Sequence, residues 1–261
     1  MDLQLKNKTA LITGSTEGIG YAIAKGLLAE GATVYINGRK QKTIDESVKK
    51  LKEEVSSADA HGIAADFSKV EEIDNLIQQL PEVDILINNV GVFGPKPFEE
   101  ITDEDWFNFF EINVMSGVRL SRHYLPKMKE KNWGRILFTS SESGVNIPED
   151  MIHYGFTKTA LLSISRGLAQ LCKATNVTVN AVLPGPTMSE GVKEMTGIDE
   201  GKDPDEVAKD FFENERPTSI IQRFASPEEV ANLFVYLSSP LSAATNGAPM
   251  RVDGGVIRSA F

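Results

Sequence analysis

Short apolar runs alternate with amphipathic runs along this chain, and the alternation begins near its start. KTALIT at 8–13 and ATVYIN at 32–37 have the length and the side chains of strands, and GIGYAIAKGLLAE at 18–30 has a helical period. A strand, a helix and a strand within about 30 residues form a βαβ unit, whose two strands lie parallel. Such a chain has to bury a parallel sheet beneath helices.

Five further strand-like runs follow this unit, at 63–68, 83–89, 134–141, 176–185 and 248–255. The longest helical runs extend from Thr102 to about Lys131 and from about Met151 to Ala174. This order predicts an α/β fold, a Rossmann-type doubly wound parallel sheet of about seven strands with helices on both faces, in a single domain over 1–261. Ligands of such sheets bind at the carboxyl ends of the strands.

The alternation is interrupted between residues 186 and 226. This segment is acidic and contains glycine breaks, yet apolar side chains such as Met188, Phe211 and Phe224 are interspersed. A stretch of this length that is at most partly helical is more often a lid over a binding site than a part of the core. We expect a substrate lid over approximately 186–226, and a surface excursion without a function is the alternative.

The composition argues against several classes of function. A net charge of -10 opposes nucleic-acid binding, which a cationic surface drives. No run reaches the ~20 apolar residues that cross a bilayer, and the polar start MDLQLKNK has no signal-peptide core, so we expect a cytoplasmic protein without a membrane partner. The single cysteine, Cys172, lies in a helical run and favours a packed thiol. Three scattered histidines offer no ligand spacing, so we predict no metal site.

The first strand and the first helix are joined by the turn TGSTEGIG. Glycines at such a place allow a tight turn and a close approach to a pyrophosphate, while the helix N-terminus offers N–H groups to the phosphates. The strand and the helix that flank such a site are both present, so we predict a dinucleotide site, with a plain turn as the alternative. The predicted contacts are Gly14, Ser15, Gly18, Ile19 and Gly20.

Two side chains one helical turn apart offer acid–base chemistry. Tyr154 and Lys158 project from one helix face, about 5–6 Å apart at Cβ. A free tyrosine titrates near pH ~10, and a fixed cation beside it favours the phenolate and lowers its pKa. Tyr154 is therefore a candidate general acid or base, and an ordinary helix face is the alternative.

Polar and small residues also follow two of the predicted strands. The carboxyl ends of these strands, where a ligand is expected, carry Asp66, Asn88, Asn89 and Gly91. The alternative is that Asp66 caps a helix and that the asparagines form turns. Asn113 lies between apolar neighbours in the first long helix, which predicts burial with a specific partner.

These motifs together resemble those of the short-chain dehydrogenase/reductase family, in its single-domain branch of about 250 residues. TGSTEGIG matches the family's TGxxxGxG, NNVG its NNAG, YGFTK its YxxxK and LPGPT its PG motif, and the likeness extends from Lys6 to Gly255. Asn113 matches the helix asparagine of the family. Ser141, rather than Ser140, matches its serine, because it lies thirteen residues before the tyrosine. The two serines face opposite sides if the strand continues through them.

The resemblance implies an oxidoreductase that transfers a hydride between a nicotinamide and a carbonyl or secondary alcohol of a partly apolar small molecule. By resemblance, Tyr154 exchanges a proton with the substrate oxygen, Lys158 lowers the tyrosine pKa and holds the nicotinamide ribose, and Ser141 binds the substrate oxygen. Asn113 would hold a water that links Lys158 to solvent. The implied cofactor contacts at the strand ends are Asp66, Phe67, Asn89, Gly91, Pro184, Gly185 and Thr187.

The identity of the cofactor depends on INGRK at 36–40, where the second strand ends. NAD-preferring members of the family carry an acid where this chain has Gly38, and the Arg39 guanidinium suits a bidentate contact with a 2′-phosphate. Glu17, just before the second glycine of the turn, would repel that phosphate. We expect NADP(H), with NAD(H) as the alternative. Val90 replaces an alanine of the family motif and would shift the adenosine slightly.

Two other functions are compatible with the sequence. A 3-oxoacyl-carrier-protein reductase needs a cationic dock for its acidic partner, and a basic cluster offers one, although a solvated helix face or a subunit contact explains the cluster more simply. Its members are Arg119, Arg122, Lys127, Lys129, Lys131 and Arg135. A catalytically silent nucleotide-binding sensor is the other, but such proteins usually lack the tyrosine, lysine or serine. The resemblance also implies a homotetramer built on the two long helices, whose apolar residues lie on more than one face.

Overall fold

The computed structural model of the protein describes residues 2–260, which form one sheet of seven parallel strands. The strands are β1 (Thr9–Ile12), β2 (Thr33–Gly38), β3 (Asp59–Ala64), β4 (Ile85–Asn88), β5 (Gly134–Thr139), β6 (Val177–Pro184) and β7 (Pro249–Val252). Their order across the sheet is β3-β2-β1-β4-β5-β6-β7, so the direction of winding reverses between β1 and β4. The predicted Rossmann-type sheet is confirmed.

The helices connect the strands and cover both faces of the sheet. They are α1 (Gly18–Ala29), α2 (Gln41–Glu54), α3 (Val70–Gln79), α4 (Asp103–Phe110), α5 (Ser116–Glu130), α6 (Ile152–Leu171), α7 (Glu190–Thr196), α8 (Pro204–Asn214) and α9 (Pro227–Ser238). One face carries α1, α2 and α9, and the other carries α3, α5 and α6. The second predicted long helix, α6, ends before Ala174 because the chain turns there with a left-handed φ of 62°.

Successive residues of a strand enter opposite layers of the core. Ile85 and Ile87 of β4 pack with α1 and α9, while Leu86 packs with α3 and α5. All three side chains are fully buried, and each such burial contributes roughly 1.5–3 kcal/mol. A shift of β4 by one residue would exchange the two layers, so its register is fixed. As predicted, Cys172 is a buried free thiol, and it packs in the same core layer as Leu86.

The predicted helix from Thr102 to Lys131 is interrupted. α4 begins with a capping box between Thr102 and Asp105, but a π-helical turn at Glu111–Met115 separates it from α5. Asn113 lies in that turn and is buried. The turn, EINVM, contains no glycine or proline, so the sequence has no break signal that distinguishes it from a continuous helix.

The segment over residues 186–226 leaves the sheet and returns to the same place. Its ends pair with each other, since Met188 N donates to Ala225 O and Ala225 N donates to Pro186 O, each at 2.9 Å. Between these ends α7 and α8 make the segment partly helical, as predicted. Its apolar side chains include three rings with centroids 4.9–5.2 Å apart, Phe211, Phe212 and Phe224. The segment therefore has a small core of its own.

Candidate active site

A cavity of about 470 Å³ opens at the carboxyl ends of β1, β2, β4, β5 and β6, where the predicted fold places a ligand. Most of the predicted site residues line it. They are Gly14, Gly18, Ile19, Gly20, Arg39, Asp66, Phe67, Asn89, Gly91, Ser141, Tyr154, Lys158, Pro184, Gly185 and Thr187. Ser15 and Asn113 do not line it, because their side chains are buried among protein partners.

Ser15 departs from the prediction for the glycine turn. Its hydroxyl donates to Ile12 O at 2.6 Å and accepts from Asn37 N at 2.9 Å, so the side chain ties β1 to β2 and does not face the cavity. Asn37, which the sequence analysis does not single out, continues this link. Its Oδ1 accepts from Gly14 N at 3.1 Å, and its Nδ2 donates to Ile63 O at 3.1 Å. Partners this far apart along the chain leave no local pattern.

The glycine turn has the main-chain geometry of a phosphate site. Gly18 has a φ of +58°, a backbone conformation that residues with a side chain rarely adopt. A Cβ on Gly20 would lie 2.5 Å from Gly14 O, so the start of α1 packs directly against the turn. The N-cap residue Glu17 makes no side-chain cap, and the first turn of α1 contains no acid. The N–H groups at this end of α1 are therefore available to an anion.

The end of β2 presents a cation to the same cavity. Arg39 is exposed, lines the cavity, and forms no ion pair or side-chain hydrogen bond with any other residue of 2–260. A Cβ on Gly38 would lie 2.7 Å from the Thr16 methyl carbon, so a larger side chain does not fit there without movement. Glu17, which the sequence analysis counts against a phosphate, is also exposed and lines the cavity.

The polar residues at the ends of β3 and β4 have structural partners as well as a place on the cavity wall. Asp66 Oδ1 accepts from the main chain and the hydroxyl of Ser68, at 3.0 and 2.8 Å, which stabilises the turn before α3. Asn89 Nδ2 donates to Thr13 O and Gly14 O, at 3.1 and 2.9 Å. Asp66 thus stabilises its own turn and Asn89 stabilises the glycine turn, while both residues line the cavity.

Asn113 and Lys158 meet below the loop that follows β4. Asn113 Oδ1 accepts from Val92 N at 2.7 Å, and its Nδ2 donates to Val92 O at 2.9 Å and to Thr157 Oγ1 at 3.0 Å. The predicted burial with specific partners is therefore observed. A Cβ on Gly91 would lie 3.3 Å from Lys158 Nζ and 3.4 Å from Asn113 Oδ1, so an atom at that position contacts both groups.

Tyr154 and Lys158 lie on one face of α6, with Nζ 5.4 Å from the centre of the ring. Lys158 is buried, and Nζ donates to Thr139 O at 2.9 Å. Burial lowers the pKa of the Lys158 ammonium to about 8. Burial raises the pKa of the Tyr154 phenol to about 12, although a hydrogen bond with Ser141 acts in the opposite direction. The lowered tyrosine pKa expected from sequence is thus not found, because the effect of burial exceeds the opposing effects of Ser141 and Arg216.

The two adjacent serines after β5 have different surroundings. Ser140 is buried, and its hydroxyl donates to Lys158 O at 2.8 Å. Ser141 lines the cavity, hydrogen-bonds the Tyr154 phenol, and accepts from Ser143 N at 3.1 Å. The strand itself ends at Thr139, earlier than predicted, and both serines line the cavity. The Ser140 hydroxyl is directed to Lys158 O, so Ser141 is the serine beside the Tyr154 phenol.

A buried ion pair that the sequence analysis does not identify also lines the cavity. Arg216 Nε, from the 186–226 segment, lies 2.8 Å from Oε1 of Glu142, which follows Ser141 directly. Neither residue carries a motif, and the only available signal is an acid adjacent to the serine of a recognised motif. Their contact depends on how the segment folds back over the sheet.

The basic cluster of the sequence analysis is not a single surface patch. Arg135 is buried and donates to three main-chain carbonyls, those of Gly134, Asn176 and Ser239. Arg119 is paired with Glu111, and Lys131 is paired with Glu82 at 2.8 Å. These three charges are neutralised or internal. Arg122 and Lys129 are exposed and Lys127 donates to Pro81 O, so only half of the cluster is left for a cationic dock.

The three histidines lie apart from one another. His61 contacts Asp59 at 2.8 Å, His123 contacts Pro81 O at 2.9 Å, and His153 is buried against the Phe109 ring. Within the described chain, 2–260, no group of three His, Cys, Asp or Glu side chains is placed to hold a metal ion.

Comparison with known proteins agrees with this geometry. The family model described as short chain dehydrogenase matches residues 8–197. The chain is 54% identical to uncharacterized oxidoreductase YvrD of Bacillus subtilis (strain 168), over 99% of this chain and 100% of that protein. It is 33% identical to the 3-oxoacyl-[acyl-carrier-protein] reductase FabG of Aquifex aeolicus (strain VF5), over 98% of this chain and 100% of the relative.

A solved structure is similar over the same extent. The crystal structure of L-sorbose reductase from Gluconobacter frateurii, complexed with NADPH and L-sorbose, has a TM-score of 0.91 at 32% identity, over 99% of this chain and 100% of the other. The chain therefore belongs to the short-chain dehydrogenase/reductase family. It is an oxidoreductase of that family.

Proposed function

We propose that the protein transfers a hydride between a nicotinamide cofactor and the carbonyl or secondary alcohol of a partly apolar small molecule, with Tyr154 as general acid and base. The observation that carries this proposal is one cavity lined both by the glycine turn and by Ser141, Tyr154 and Lys158. The first part offers main-chain N–H groups to phosphates, and the second offers a phenol, a hydroxyl and an ammonium to a reacting oxygen.

The side chains divide the work at the reacting oxygen. When it is bound, the cofactor supplies or accepts the hydride. Ser141 donates a hydrogen bond to the substrate oxygen, and Tyr154 gives its proton to that oxygen in reduction or removes it in oxidation. Lys158, which is held by Thr139 O, reaches the nicotinamide ribose. A water beside Gly91 would contact both Lys158 Nζ and Asn113 Oδ1 and would link the lysine to solvent.

The raised pKa of Tyr154 favours the acid role at neutral pH. In reduction the phenol must carry its proton, and a pKa of about 12 keeps it protonated throughout the neutral range. In oxidation the phenolate is the base, so the rate of oxidation rises with pH. The form of Tyr154 that reduction requires is therefore the one present near neutral pH.

We propose NADP(H) as the preferred cofactor. The Arg39 guanidinium at the end of β2, which forms no ion pair within residues 2–260, suits a 2′-phosphate, and the tight contact beside Gly38 disfavours an acid there. The similar L-sorbose reductase structure contains NADPH. Glu17 is the opposing feature, because its exposed carboxylate faces the same cavity. We infer that the adenosine side of the cofactor would contact Asp66, Phe67, Asn89 and Gly91. The nicotinamide would contact Pro184, Gly185 and Thr187.

The 186–226 segment is proposed as the substrate lid of this single-domain enzyme. Met195, Phe211 and Phe224 from the segment line the cavity, and Phe93 from the loop after β4 joins them. These side chains support a partly apolar substrate. Because the two ends of the segment pair with each other, the part between them can move as a unit.

The experiment that tests the proposed function follows nicotinamide absorbance with NADPH or NADH and a panel of ketones, diketones and oxoacyl thioesters. We expect NADPH oxidation with at least one ketone and a loss of at least about 100-fold in kcat in Tyr154→Phe. Tyr236→Phe, which removes a phenol on α9 outside the cavity, is the matched control and should keep its activity. No oxidation of either nucleotide with any carbonyl would contradict the proposal.

A 3-oxoacyl-carrier-protein reductase is the second candidate, supported by the relative of that name at 33% identity. The dispersal of the basic cluster weakens it. Equal rates with a free oxoacyl thioester and with the carrier-bound form would argue against a carrier-protein dock. A catalytically silent sensor would bind NADPH without turnover of any carbonyl in the panel.

The oligomeric state is proposed to be a homotetramer. Aromatic side chains on α4 and α6 are exposed, among them Phe107, Phe110 and Phe156, which suits a contact between subunits. Light scattering should give four times the mass of the chain, and a monomeric mass would contradict this proposal.

No helix within residues 2–260 combines the length and apolar content needed to cross a bilayer. We propose a cytoplasmic location.

A further inference from the structure

The Glu142–Arg216 ion pair connects the 186–226 segment to the turn that carries Ser141. Arg216 Nε lies 2.8 Å from Glu142 Oε1, and the two side chains are only 11% and 4% exposed. The Arg216 guanidinium also lies 5.8 Å from the centre of the Phe211 ring. The small core of the segment therefore helps to hold Arg216 in place.

Hydrogen bonds continue from this ion pair to the proposed catalytic serine. Ser143 Oγ donates to Glu142 Oε1 at 3.0 Å, and Ser143 N donates to Ser141 Oγ at 3.1 Å. The second carboxylate oxygen of Glu142, Oε2, is buried and has no hydrogen-bond partner among residues 2–260. Desolvation opposes the attraction within a buried pair, so a half-satisfied carboxylate contributes little to stability. A function in the reaction explains it better.

We propose that Glu142 and Arg216 are positioning residues for the reaction, an inference that rests on the proposed function. Arg216 belongs to the 186–226 segment and Glu142 to the turn after β5, so their contact requires the segment to lie over the cavity. In that arrangement the pair fixes the turn that carries Ser141. It also places two opposite charges beside the Tyr154 phenol.

Three charged groups face the Tyr154 phenol. Lys158 comes from the same helix, Glu142 from the turn after β5 and Arg216 from the segment. The neighbouring Phe93 ring, 6.2 Å from the tyrosine ring, is uncharged. Beyond the effect of burial, Glu142 raises the pKa of Tyr154 and Arg216 lowers it. The two effects oppose each other while the ion pair is intact.

Removal of either partner leaves the charge of the other beside the phenol. In Glu142→Gln the remaining guanidinium favours the phenolate, and in Arg216→Met the remaining carboxylate opposes it. The phenolate is the base in alcohol oxidation, and with a phenol pKa of about 12 kcat/KM rises with pH over the whole accessible range. The position of this rising limb, taken as the pH at which kcat/KM reaches a set value, reports this balance. We expect the limb to move by about half a pH unit, to lower pH in Glu142→Gln and to higher pH in Arg216→Met.

The assay follows NADPH formation from NADP⁺ with 2-butanol, cyclohexanol and sorbitol, and the pH series uses the alcohol that the wild type oxidises fastest. Arg216→Lys keeps the positive charge and should restore the position of the wild-type limb. Glu215→Gln removes an exposed carboxylate on the same segment and should leave the limb in place. The unfolding temperature of every variant is measured in parallel.

Opposite displacements in the two charge-removing variants support the inference. A contact that only holds the segment closed is broken equally by both substitutions, so displacements in the same direction, or none, overturn it. If Glu142→Gln does not fold, equal limbs for Arg216→Met and Arg216→Lys overturn it instead. If the wild type oxidises none of the three alcohols, the alcohol product of the ketone that it reduces fastest takes their place. Failure to turn over any carbonyl of the panel with either cofactor contradicts the proposed function itself.

Discussion

The two halves of the cavity are built from different parts of the chain. The glycine-turn half is mostly main chain, with the bend at Gly18, the close packing at Gly20 and the uncapped start of α1. The half under the 186–226 segment is mostly side chain, with a ring core and the Glu142–Arg216 pair. Main chain at the end of a buried sheet moves little, whereas a segment anchored at its ends can adjust. The first half therefore suits one constant ligand, and the second suits a ligand that enters and leaves.

The largest expected effect is a loss of NADPH affinity when a substitution disrupts the glycine-turn half of the cavity. In Gly20→Ala the added methyl would lie 2.5 Å from Gly14 O and 2.7 Å from Asn89 Nδ2, so the turn must move. We expect NADPH affinity, measured by fluorescence titration, to fall by at least about 100-fold. Gly167→Ala on α6 is the matched control, because its methyl meets nothing within 4 Å, and it should bind normally. Wild-type affinity in Gly20→Ala would show that the turn does not hold the cofactor.

The next largest effect concerns the preference of the same half of the cavity for NADPH over NADH. Arg39→Ala removes the proposed contact with the 2′-phosphate, so the Kd for NADPH should rise about 10- to 30-fold while the Kd for NADH stays the same. Lys40→Ala removes the adjacent exposed cation and serves as the control. Equal losses for both nucleotides, or for both variants, would assign Arg39 no role in selectivity.

A smaller effect concerns the side-chain half. Phe212→Leu loosens the ring core of the segment, since Phe212 is 2% exposed and packs against Phe211 and Phe224. We expect KM for the ketone to rise several-fold and the free energy of unfolding to fall by about 1–2 kcal/mol, with NADPH affinity unchanged. Phe98→Leu, at a residue that is 60% exposed and lies outside the segment, is the control. A matching loss of NADPH affinity would mean that the two halves are not separable.

The smallest effect links the halves through Lys158. Burial lowers its pKa to about 8, so the ammonium that would hold the ribose is present below that pH and is lost above it. The Kd for NADPH should therefore rise about threefold between about pH 7 and about pH 9. Lys158→Met should bind more weakly and lose this rise, while Lys202→Met, at an exposed lysine, should keep it. A rise that persists in Lys158→Met would have another source.

The same division explains what the sequence predicts. Gly14, Gly18 and Gly20 lie within one short turn, and the strand and helix that flank it fix their geometry, so the pattern is enough to place the cavity. Glu142 and Arg216 are 74 residues apart and meet only because the segment folds back, and no local pattern encodes that contact.

Two predictions, the continuous helix from Thr102 to about Lys131 and the lowered pKa of Tyr154, are wrong for similar reasons. The π turn that carries Asn113 contains no glycine or proline, so the sequence does not mark the interruption of the long helix. The pKa of Tyr154 depends on how deeply the phenol is buried, which spacing alone does not give. Residues whose surroundings come from distant segments are therefore the ones that the sequence predicts least well.

The most direct test of the two-part site follows the hydride itself. NADPH with deuterium at C4, prepared separately for each face of the ring, is supplied with the ketone that is reduced fastest, and the alcohol is analysed by mass spectrometry. One deuterium at the carbinol carbon, from one face only, with no alcohol formed by Tyr154→Phe despite intact NADPH binding, is the predicted result. Alcohol without deuterium from either face, or full turnover in Tyr154→Phe, would contradict it.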